Sequence, residues 1–258
     1  MGYWLFEQID GYIPGVEHLD NAMRWAEKYG IQVLIDLHGA RGSQNGFDSS
    51  GEAGKREWFT NASYRAHTLD VLQRIAERYK SSSALWGIEL LNEPLSKGHY
   101  WTLLRFYRSA YSILRSILRP GTHIVFHDSF RPLLFAGALW PRKNYPVIMD
   151  IHWYGFEFRT KKLSSYLKQS ALVRRLLVRL LQLWQPVLIG EWSTVLPQRF
   201  FDEIPTNDHM KLLQHNAAMQ QKAYSKAAGW TYWNYKAEGV GMWNFRDLVE
   251  RGVVKFTP

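Results

Sequence analysis

The sequence contains no cysteine and no long apolar run. The absence of cysteine excludes disulfide bonds, thiolate metal sites and cysteine nucleophiles, and it is compatible with either redox compartment. No window reaches about 18 uninterrupted apolar residues, so a membrane-spanning helix is not predicted. The first residues, from Met1 to Glu7, lack the basic region and the apolar stretch of a signal peptide. Nothing in the chain therefore predicts export, and its location in the cell is left open.

Motifs of three enzyme classes are also missing. The glycine-rich segment from Gly39 to Gly51 has no G-x-G-x-x-G or Walker pattern, which argues against a nucleotide-binding sheet. The chain has no Gly-x-Ser-x-Gly sequence and hence no serine hydrolase elbow. Five possible metal donors stand out: Asp36, His38, His127, Asp128 and His152. No two of them have H-x-x-x-H or H-x-E spacing, so we predict neither a metal site nor a cofactor.

The length and composition predict one folded domain over residues 1–258. The chain has 258 residues, of which 46% are hydrophobic and 15% aromatic, enough for one sizeable core. No internal repeat, low-complexity segment or glycine- and serine-rich linker marks a boundary inside it.

The chain is basic, with a formal net charge of +9 and an isoelectric point of about 9.6. Much of the excess lies between Arg159 and Arg179, a stretch that overlaps a predicted helix. No nucleic-acid motif accompanies it, and no nucleic-acid partner is predicted. Two interpretations of the basic helix 161–183 stay open: a solvated helix face, or a surface that contacts anionic lipid or polysaccharide.

Apolar runs alternate with amphipathic segments along the chain. Five segments have helical periodicity: residues 16–29, 64–79, 99–118, 163–183 and 206–228. Six apolar runs predict strands: residues 31–37, 88–93, 124–128, 147–154, 187–191 and 229–236. Strands that alternate with helices predict an α/β fold with a parallel sheet.

Polar or aromatic side chains close nearly every predicted strand. Examples are His38, Glu93, His127, Tyr154 and Glu191. Functional residues collected from the ends of many parallel strands are typical of the C-terminal face of a (β/α)8 barrel. We therefore predict an α/β fold of the TIM (β/α)8 barrel type, incomplete at the N-terminus, with about six of the eight strands in this chain.

Two of these strand ends carry glutamates, Glu93 and Glu191. Cleavage of a glycosidic bond needs one carboxylic acid to protonate the leaving oxygen and one carboxylate on the opposite side of the sugar. The two glutamates are candidates for these roles, although a single strand-end glutamate is more often a surface or salt-bridged residue. Asn92 would hydrogen-bond a sugar 2-hydroxyl. Tyr154 would hydrogen-bond the carboxylate of the nucleophile and keep it ionised.

Three further side chains are candidates for contacts with the sugar. His38 and His152 would orient the carboxyl groups or touch sugar hydroxyls, although an isolated histidine is just as often structural. Trp233 would be a stacking platform for a pyranose ring, whereas most of the 12 tryptophans must pack in the core.

Several motifs resemble those of glycoside hydrolase family 5, in the clan of retaining (β/α)8 glycosidases. They are Asn92-Glu93-Pro94, Asp150 to Tyr154, Ile189 to Trp192, Trp230 to Lys236 and the loop from His38 to Gly51. The loop is the most specific of them, because it is similar to the exo-β-1,3-glucanase branch of the family. The resemblance runs from Gly2 to about Lys236, almost the whole chain.

The resemblance implies a role for each candidate residue. Glu93 would be the acid/base, and Glu191 would be the nucleophile. The sugar subsite next to the cleaved bond would be surrounded by His38, Asn92, His152, Tyr154 and Trp233. Asn45 and Asp48 would shape the pocket wall.

One departure from the family concerns the N-terminus. In family members the sequence Gly-Tyr-Trp, here Gly2 to Trp4, follows the second barrel strand. We therefore expect two strands and a helix to be missing, together with an arginine that supports the nucleophile and a glutamate of the exo-glucanase pocket. Either the recorded start lies downstream of the true one, or the protein is short and has an open sheet edge. A bare edge predicts self-association.

These observations predict a retaining glycoside hydrolase that cleaves β-glucosidic bonds in β-1,3-glucan or a related β-glucoside. Retention of configuration requires the two carboxyl groups to lie about 5 to 5.5 Å apart. Two alternatives stay open. One is a glycosidase of glycolipid head groups, suggested by the leucines among the arginines of the basic helix. The other is a carbohydrate-binding chain without turnover, because the missing strands would carry part of the site.

Overall fold

The computed structural model describes residues 1–140, 144–154, 162–238 and 241–256. Lys161, the first residue of the predicted basic helix, lies outside these ranges. The chain divides into two compact units, Met1–Met149 and Asp150–Pro258. The single domain over residues 1–258 stays a prediction.

Six strands form in the described residues, as the sequence predicts. They are β1 (Val33–Asp36), β2 (Leu85–Glu89), β3 (His123–His127), β4 (Val147–Trp153), β5 (Val187–Trp192) and β6 (Gly229–Tyr232). Neighbouring strands of the chain pair in parallel, as in β1-β2-β3 of the first unit and β5-β6 of the second. The fold is therefore the α/β type of a (β/α)8 barrel, of which the described residues supply six strands.

Eight α-helices lie in the described residues. They are α1 (Val16–Tyr29), α2 (Ala62–Tyr79), α3 (Tyr100–Ile117), α4 (Pro132–Phe135), α5 (Leu163–Leu181), α6 (Arg199–Asp202), α7 (His209–Tyr224) and α8 (Phe245–Glu250). The five predicted helices are α1, α2, α3, α5 and α7. The sequence pattern does not predict α4, α6 and α8, because helices this short show no periodic apolar stripe. None of the described helices is both long and apolar enough to cross a membrane.

Helix α1 shows how the sequence positions these elements. Leu19, Met23 and Ala26 recur at helical spacing, and all three are buried. The helix ends at Gly30, whose φ of 66° lies in the left-handed region that glycine adopts without a steric penalty. Gly30 N–H donates to the carbonyl oxygen of Ala26 and closes the last turn, so the chain can leave the helix and enter β1.

Strand β2 ends earlier than the sequence predicts. The predicted strand extends to Glu93, but β2 stops at Glu89. Beyond it, Asn92 N–H still donates to the carbonyl oxygen of Leu37 at 3.0 Å. Glu93 has a φ of 44°, in the left-handed region, which a regular strand cannot contain. The candidate acid/base therefore lies in an irregular segment after the strand rather than at its tip.

In the second unit, helices α5, α6 and α7 share an apolar core. Tyr166 and Leu167 of α5 pack with Phe200 and Phe201 of α6 and with Leu212 of α7, and all five side chains are buried. Strand β4 is buried along its whole length, as expected for a strand of a parallel sheet that is covered on both faces. The contacts of α5 with α6 and α7 turn one face of α5 toward the core, and the opposite face points outward.

Candidate active site

Four polar side chains meet at the carboxyl ends of β4 and β5 in the second unit. Tyr154 Oη donates a hydrogen bond to Glu191 Oε2 at 2.5 Å. His152 Nδ1 lies 3.4 Å from the same oxygen, and His152 Nε2 lies 2.9 Å from Asp150 Oδ2. Asp150, His152 and Glu191 are buried, and Tyr154 is half-buried. The Glu191 carboxylate is therefore held by a tyrosine and a histidine, and the histidine is held by a second carboxylate.

Strand geometry explains this arrangement. Asp150 and His152 are two residues apart in β4, so their side chains point to the same face of the sheet. Trp153 points to the other face, where its ring lies 5.8 Å from the ring of Tyr224, centroid to centroid. The alternation continues one residue past the strand and brings Tyr154 back to the side of His152. The sequence predicts the contact of Tyr154 with Glu191, and the structure places these two side chains together.

Gly190 leaves room for the carboxylate of Asp150. The N–H of Gly190 donates to Asp150 Oδ1 at 2.7 Å. A Cβ atom at position 190 would lie only 2.2 Å from Asp150 Oδ2, much closer than the distance at which non-bonded atoms attract. Glycine at this position therefore allows Asp150 to sit against β5, beside Glu191.

Arg174 of helix α5 supports Tyr154 from behind. Its Nη2 donates to the carbonyl oxygen of Tyr154 at 2.6 Å, and its Nη1 donates to Gln220 Oε1 at 2.7 Å and to Tyr224 Oη at 3.1 Å. The side chain is only 2% exposed. The interpretation of the basic helix as a solvated face is wrong for this residue, because Arg174 lies on the same inward face as Val178. Sequence reasoning misses this supporting role.

Trp233 and Trp243, two of the tryptophans of the same unit, are each 37% exposed. The ring of Trp243 lies 5.5 Å from the ring of Tyr154, centroid to centroid. The sequence predicts Trp233 within the last strand, but β6 ends one residue earlier, at Tyr232. Trp233 follows directly after it, and its N–H donates to the carbonyl oxygen of Trp192 at 2.9 Å. The partial exposure of both rings leaves them accessible to a sugar.

In the first unit, buried amide side chains hold the backbone around Glu93. Asn45 Nδ2 donates to the carbonyl oxygen of Glu93 at 3.2 Å, and Gln44 Nε2 donates to that of Asn92 at 2.8 Å. Both donors belong to the loop between β1 and α2 and are buried. A left-handed φ is uncommon for a residue other than glycine, and it persists only where surrounding contacts enforce it. The hydrogen bonds from the loop therefore help to fix the backbone conformation at Glu93. Gln44 has no role in the sequence prediction.

His38 and Asn92 lie beside this segment. His38 Nδ1 is 2.7 Å from Asp36 Oδ2, and His38 Nε2 is 3.4 Å from Asn92 Nδ2. These distances fit a ring that donates through Nδ1 and accepts through Nε2. Asp36 thereby orients His38, and His38 orients the amide of Asn92, which precedes the candidate acid/base. The structure places these predicted residues together.

His127 lies near Glu93, a proximity that the sequence analysis does not predict. It is buried at the end of β3, and one of its ring nitrogens lies within 4.8 Å of a Glu93 carboxylate oxygen. Ser129 N–H donates to His127 Nδ1 at 3.0 Å, so the ring proton belongs on Nε2. The only signal in the sequence is the position of His127 at a strand end.

Asp48, predicted at the pocket wall with Asn45, has a different environment. Asn45 is buried, whereas Asp48 is exposed at the start of the 3-10 turn Asp48–Ser50. Its Oδ1 accepts a hydrogen bond from Ser49 N–H at 2.8 Å. This carboxylate therefore has a local structural contact, and its role at the wall stays a prediction.

One glutamate near the end of a parallel strand and a second one in the segment after another strand match the pair of carboxyl groups that glycoside hydrolases use. The sequence model of the cellulase family, glycosyl hydrolase family 5, matches residues 10–239. The chain belongs to this family, as its motifs predict, and it is a glycoside hydrolase. The mechanism of the family retains the configuration of the sugar.

The chain is similar to two fungal proteins along nearly its full length. It is 30% identical over 298 residues to the probable glucan 1,3-beta-glucosidase A of Aspergillus terreus, covering 99% of this chain and 70% of the relative. It is 31% identical over 283 residues to glucan 1,3-beta-glucosidase 1 of Schizosaccharomyces pombe, covering 98% of this chain and 68% of the relative.

A solved structure supports the fold. The crystal structure of rutinosidase from Aspergillus niger matches with a TM-score of 0.79 and 18% sequence identity. The match covers 97% of this chain and 76% of the rutinosidase. At this identity the likeness shows the fold alone, and it confirms the predicted fold class.

Proposed function

We propose that this chain hydrolyses β-1,3-linked glucosyl bonds, with Glu191 as the nucleophile and Glu93 as the acid/base. The names of the two fungal relatives support β-1,3-linked glucan as the substrate class. The observation that carries the assignment of roles is the hydrogen bond from Tyr154 Oη to Glu191 Oε2 at 2.5 Å. A donor aimed at a carboxylate favours its charged form, and the charged form is the one that attacks.

In the first proposed step, a carboxylate oxygen of Glu191 attacks the anomeric carbon of the sugar. The bond from that carbon to the glycosidic oxygen breaks, and Glu93 gives its proton to the departing oxygen. The aglycone leaves as an alcohol, the sugar is bound to Glu191 as an ester, and Glu93 becomes a carboxylate. Asn92 would donate to the 2-hydroxyl, in a hydrogen bond that strengthens as positive charge develops on the ring.

In the second step, water attacks the anomeric carbon from the side that the aglycone has left. Glu93 takes the proton of this water, the ester bond to Glu191 breaks, and the nucleophile returns to its carboxylate form. Two successive inversions give net retention. Each catalytic group ends in its starting protonation state, so the cycle can repeat.

The other candidate residues would hold the sugar and the two carboxyl groups. We propose that His152 and Tyr154 position Glu191, since both contact its Oε2. His38 would position Asn92 through their contact. Trp233 would stack on the sugar ring, and Asn45 and Asp48 would form the pocket wall.

Replacing Gly190 with alanine is expected to displace Asp150 and to disturb His152, which Asp150 holds. We expect a loss of roughly 2 kcal/mol in the free energy of unfolding, because the added methyl group overpacks a buried site. We also expect kcat to fall about 10²-fold, since a misplacement of about 1 Å at a catalytic group has an effect of this size. Denaturant unfolding and steady-state kinetics measure the two changes.

Gly229→Ala is the matched control for this substitution. Gly229 lies in the neighbouring strand β6, where an added Cβ would meet only Leu188 Cδ1, at the ordinary contact distance of 3.6 Å. We expect kcat of this variant to stay within about twofold of the starting protein, because no group of the site is displaced. If Gly190→Ala and Gly229→Ala behave alike, the proposed positioning by Asp150 is wrong.

The substrate is tested with gluco-oligosaccharides that differ only in linkage. We expect release of sugar from the β-1,3-linked series at a rate at least about tenfold above the β-1,4-linked series, a ratio that one set of altered pocket contacts can supply. Proton NMR of the fresh product should show the β-anomer first. Glu191→Gln, purified in the same way, controls for a contaminating glycosidase.

Four results would contradict the proposal. Faster cleavage of the β-1,4-linked series would exclude the proposed linkage, and an α-anomer as the first product would exclude retention. Binding of β-1,3-glucan without any released sugar, measured on folded protein, would select a carbohydrate-binding chain without turnover. Cleavage of glucosylated lipid with no cleavage of either oligosaccharide series would select the glycolipid alternative.

A further inference from the structure

The outward face of helix α5 is apolar. Leu172, Leu176 and Leu180 recur every four residues and are 58%, 54% and 40% exposed. Residues four apart share a face of a helix, and this face is opposite to the one that packs in the core. Leu183 and Trp184, just past the end of the helix, are also exposed, at 77% and 41%.

Such a strip is not the normal exterior of an α/β enzyme. A helix that covers a sheet buries its apolar stripe and turns polar residues to solvent. Single exposed leucines are common and need no explanation. Adjacent ones on one helix face form a patch, and patches of this kind mark contact with another molecule.

A row of cations runs beside the apolar strip. Lys168, Arg175 and Arg179 are exposed, and their spacings of seven and four residues place them on one side of the helix. Residues 162–184 contain five basic residues and no acidic one. Of these five, Arg174 is buried. The exposed face of α5 therefore carries positive charge alone, segregated from the leucines.

A groove between α5 and α7 lies on the cationic side. It has a volume of about 220 Å³. Four apolar side chains line it together with three cationic ones: Ala171, Leu172, Met219 and Ala223 with Lys168, Arg175 and Lys222. None of its described lining residues is acidic. Cations around an apolar floor fit an anionic head group that is attached to an acyl chain.

We propose that the outward face of α5, with this groove, docks the protein on an anionic lipid surface. The helix would lie in the plane of the surface. The leucines and Trp184 would enter the boundary of head groups and acyl chains, and the cations would contact lipid phosphates. A second copy of the chain fits this face less well, because two such faces would bring like charges together. The inference does not rest on the substrate proposed above.

The experiment uses the full chain and two kinds of vesicle, phosphatidylcholine alone and phosphatidylcholine with phosphatidylserine. We expect sedimentation with the anionic vesicles to be at least about tenfold stronger, because each cation near such a surface contributes roughly a fivefold gain in binding. Binding should weaken as sodium chloride is raised, since salt screens the charges.

Two double variants test the two halves of the surface. Lys168→Gln/Arg175→Gln removes two cations, and Leu176→Gln/Leu180→Gln removes the centre of the apolar strip. Each is expected to weaken binding to anionic vesicles roughly tenfold or more. Arg105→Gln/Arg108→Gln is the matched control, because it removes two exposed charges from α3 in the other unit. Hydrolysis of a soluble aryl glucoside should be unchanged in all three, and this shows that they fold.

The proposal is overturned by any of three results. The first is equal binding to neutral and anionic vesicles, or no binding to either. The second is an equal loss of binding in the α3 control. The third is a concentration-dependent dimer, without vesicle binding, that Leu176→Gln/Leu180→Gln abolishes; this result would assign the face to a second copy of the chain.

Discussion

Replacing Glu191 with alanine is expected to lower kcat on a β-glucoside by on the order of 10⁴- to 10⁶-fold. The substitution removes the oxygen that would bond to the anomeric carbon. Tyr154 and His152 contact that oxygen, but they hold it rather than replace it. The fall should be the same for good and poor leaving groups, because no intermediate forms with either. Steady-state kinetics on an aryl glucoside and on a β-1,3-linked disaccharide measure it.

Azide distinguishes a missing nucleophile from a damaged site. In Glu191→Ala, azide can enter the space of the lost carboxylate and attack the anomeric carbon from that side. A single inversion then converts a β-glucoside to an α-glucosyl azide. Recovery of turnover with this product is the expected result, and the thermal midpoint should stay close to that of the starting protein. A β-glucosyl azide, or turnover that azide does not change, would show that Glu191 is not the nucleophile.

Replacing Glu93 with alanine should produce a loss that depends on the leaving group. For a β-1,3-linked disaccharide we expect kcat/KM to fall on the order of 10³- to 10⁴-fold, since the departing sugar oxygen needs a proton. For a dinitrophenyl glucoside we expect a much smaller fall, because this leaving group departs as a stable anion. The second step is slowed for both substrates, as Glu93 also activates the water. Pre-steady-state kinetics should therefore show a burst of dinitrophenol.

The same variant gives the opposite stereochemical result with azide. Azide needs no general base, so it should accelerate the second step by attacking the ester on Glu191 from the side of the lost Glu93 carboxyl. The product is then a β-glucosyl azide, after two inversions. An equal loss of kcat/KM on both substrates would contradict the acid/base role, and so would an α-glucosyl azide. The two variants thus assign the two carboxyl groups independently.

The alternation of strands and helices could be predicted because it depends on local patterns. The stripe of Leu19, Met23 and Ala26 and the stop at Gly30 define α1 without reference to the rest of the chain. The ends of the strands could not be predicted in the same way. Strand β2 stops where its pairing with β1 and β3 stops, at Glu89, and pairing partners far away in sequence are invisible to a local pattern.

In the candidate site, too, features that depend on local sequence could be predicted, and contacts between distant segments could not. Side chains two residues apart, such as Asp150, His152 and Tyr154, share one face of a strand whatever the strand pairs with, and the structure has them on one face. The inward position of Arg174 could not be predicted, because Arg175 and Arg179 in the same helix carry the same side chain and point outward. Which arginine faces the core depends on what the helix packs against. The support of Glu93 by Gln44 is likewise a contact between distant segments.

The hydrogen bonds from Gln44 and Asn45 to the backbone of residues 92 and 93 have a consequence for engineering. The loop that would shape the sugar pocket also holds the backbone of Glu93, the proposed proton donor. Grafting this loop from a glucanase to change linkage preference would move Glu93 with it and, under the proposed mechanism, alter turnover as well as selectivity. Changes to this loop that are meant to alter selectivity therefore have to be designed together with the position of Glu93.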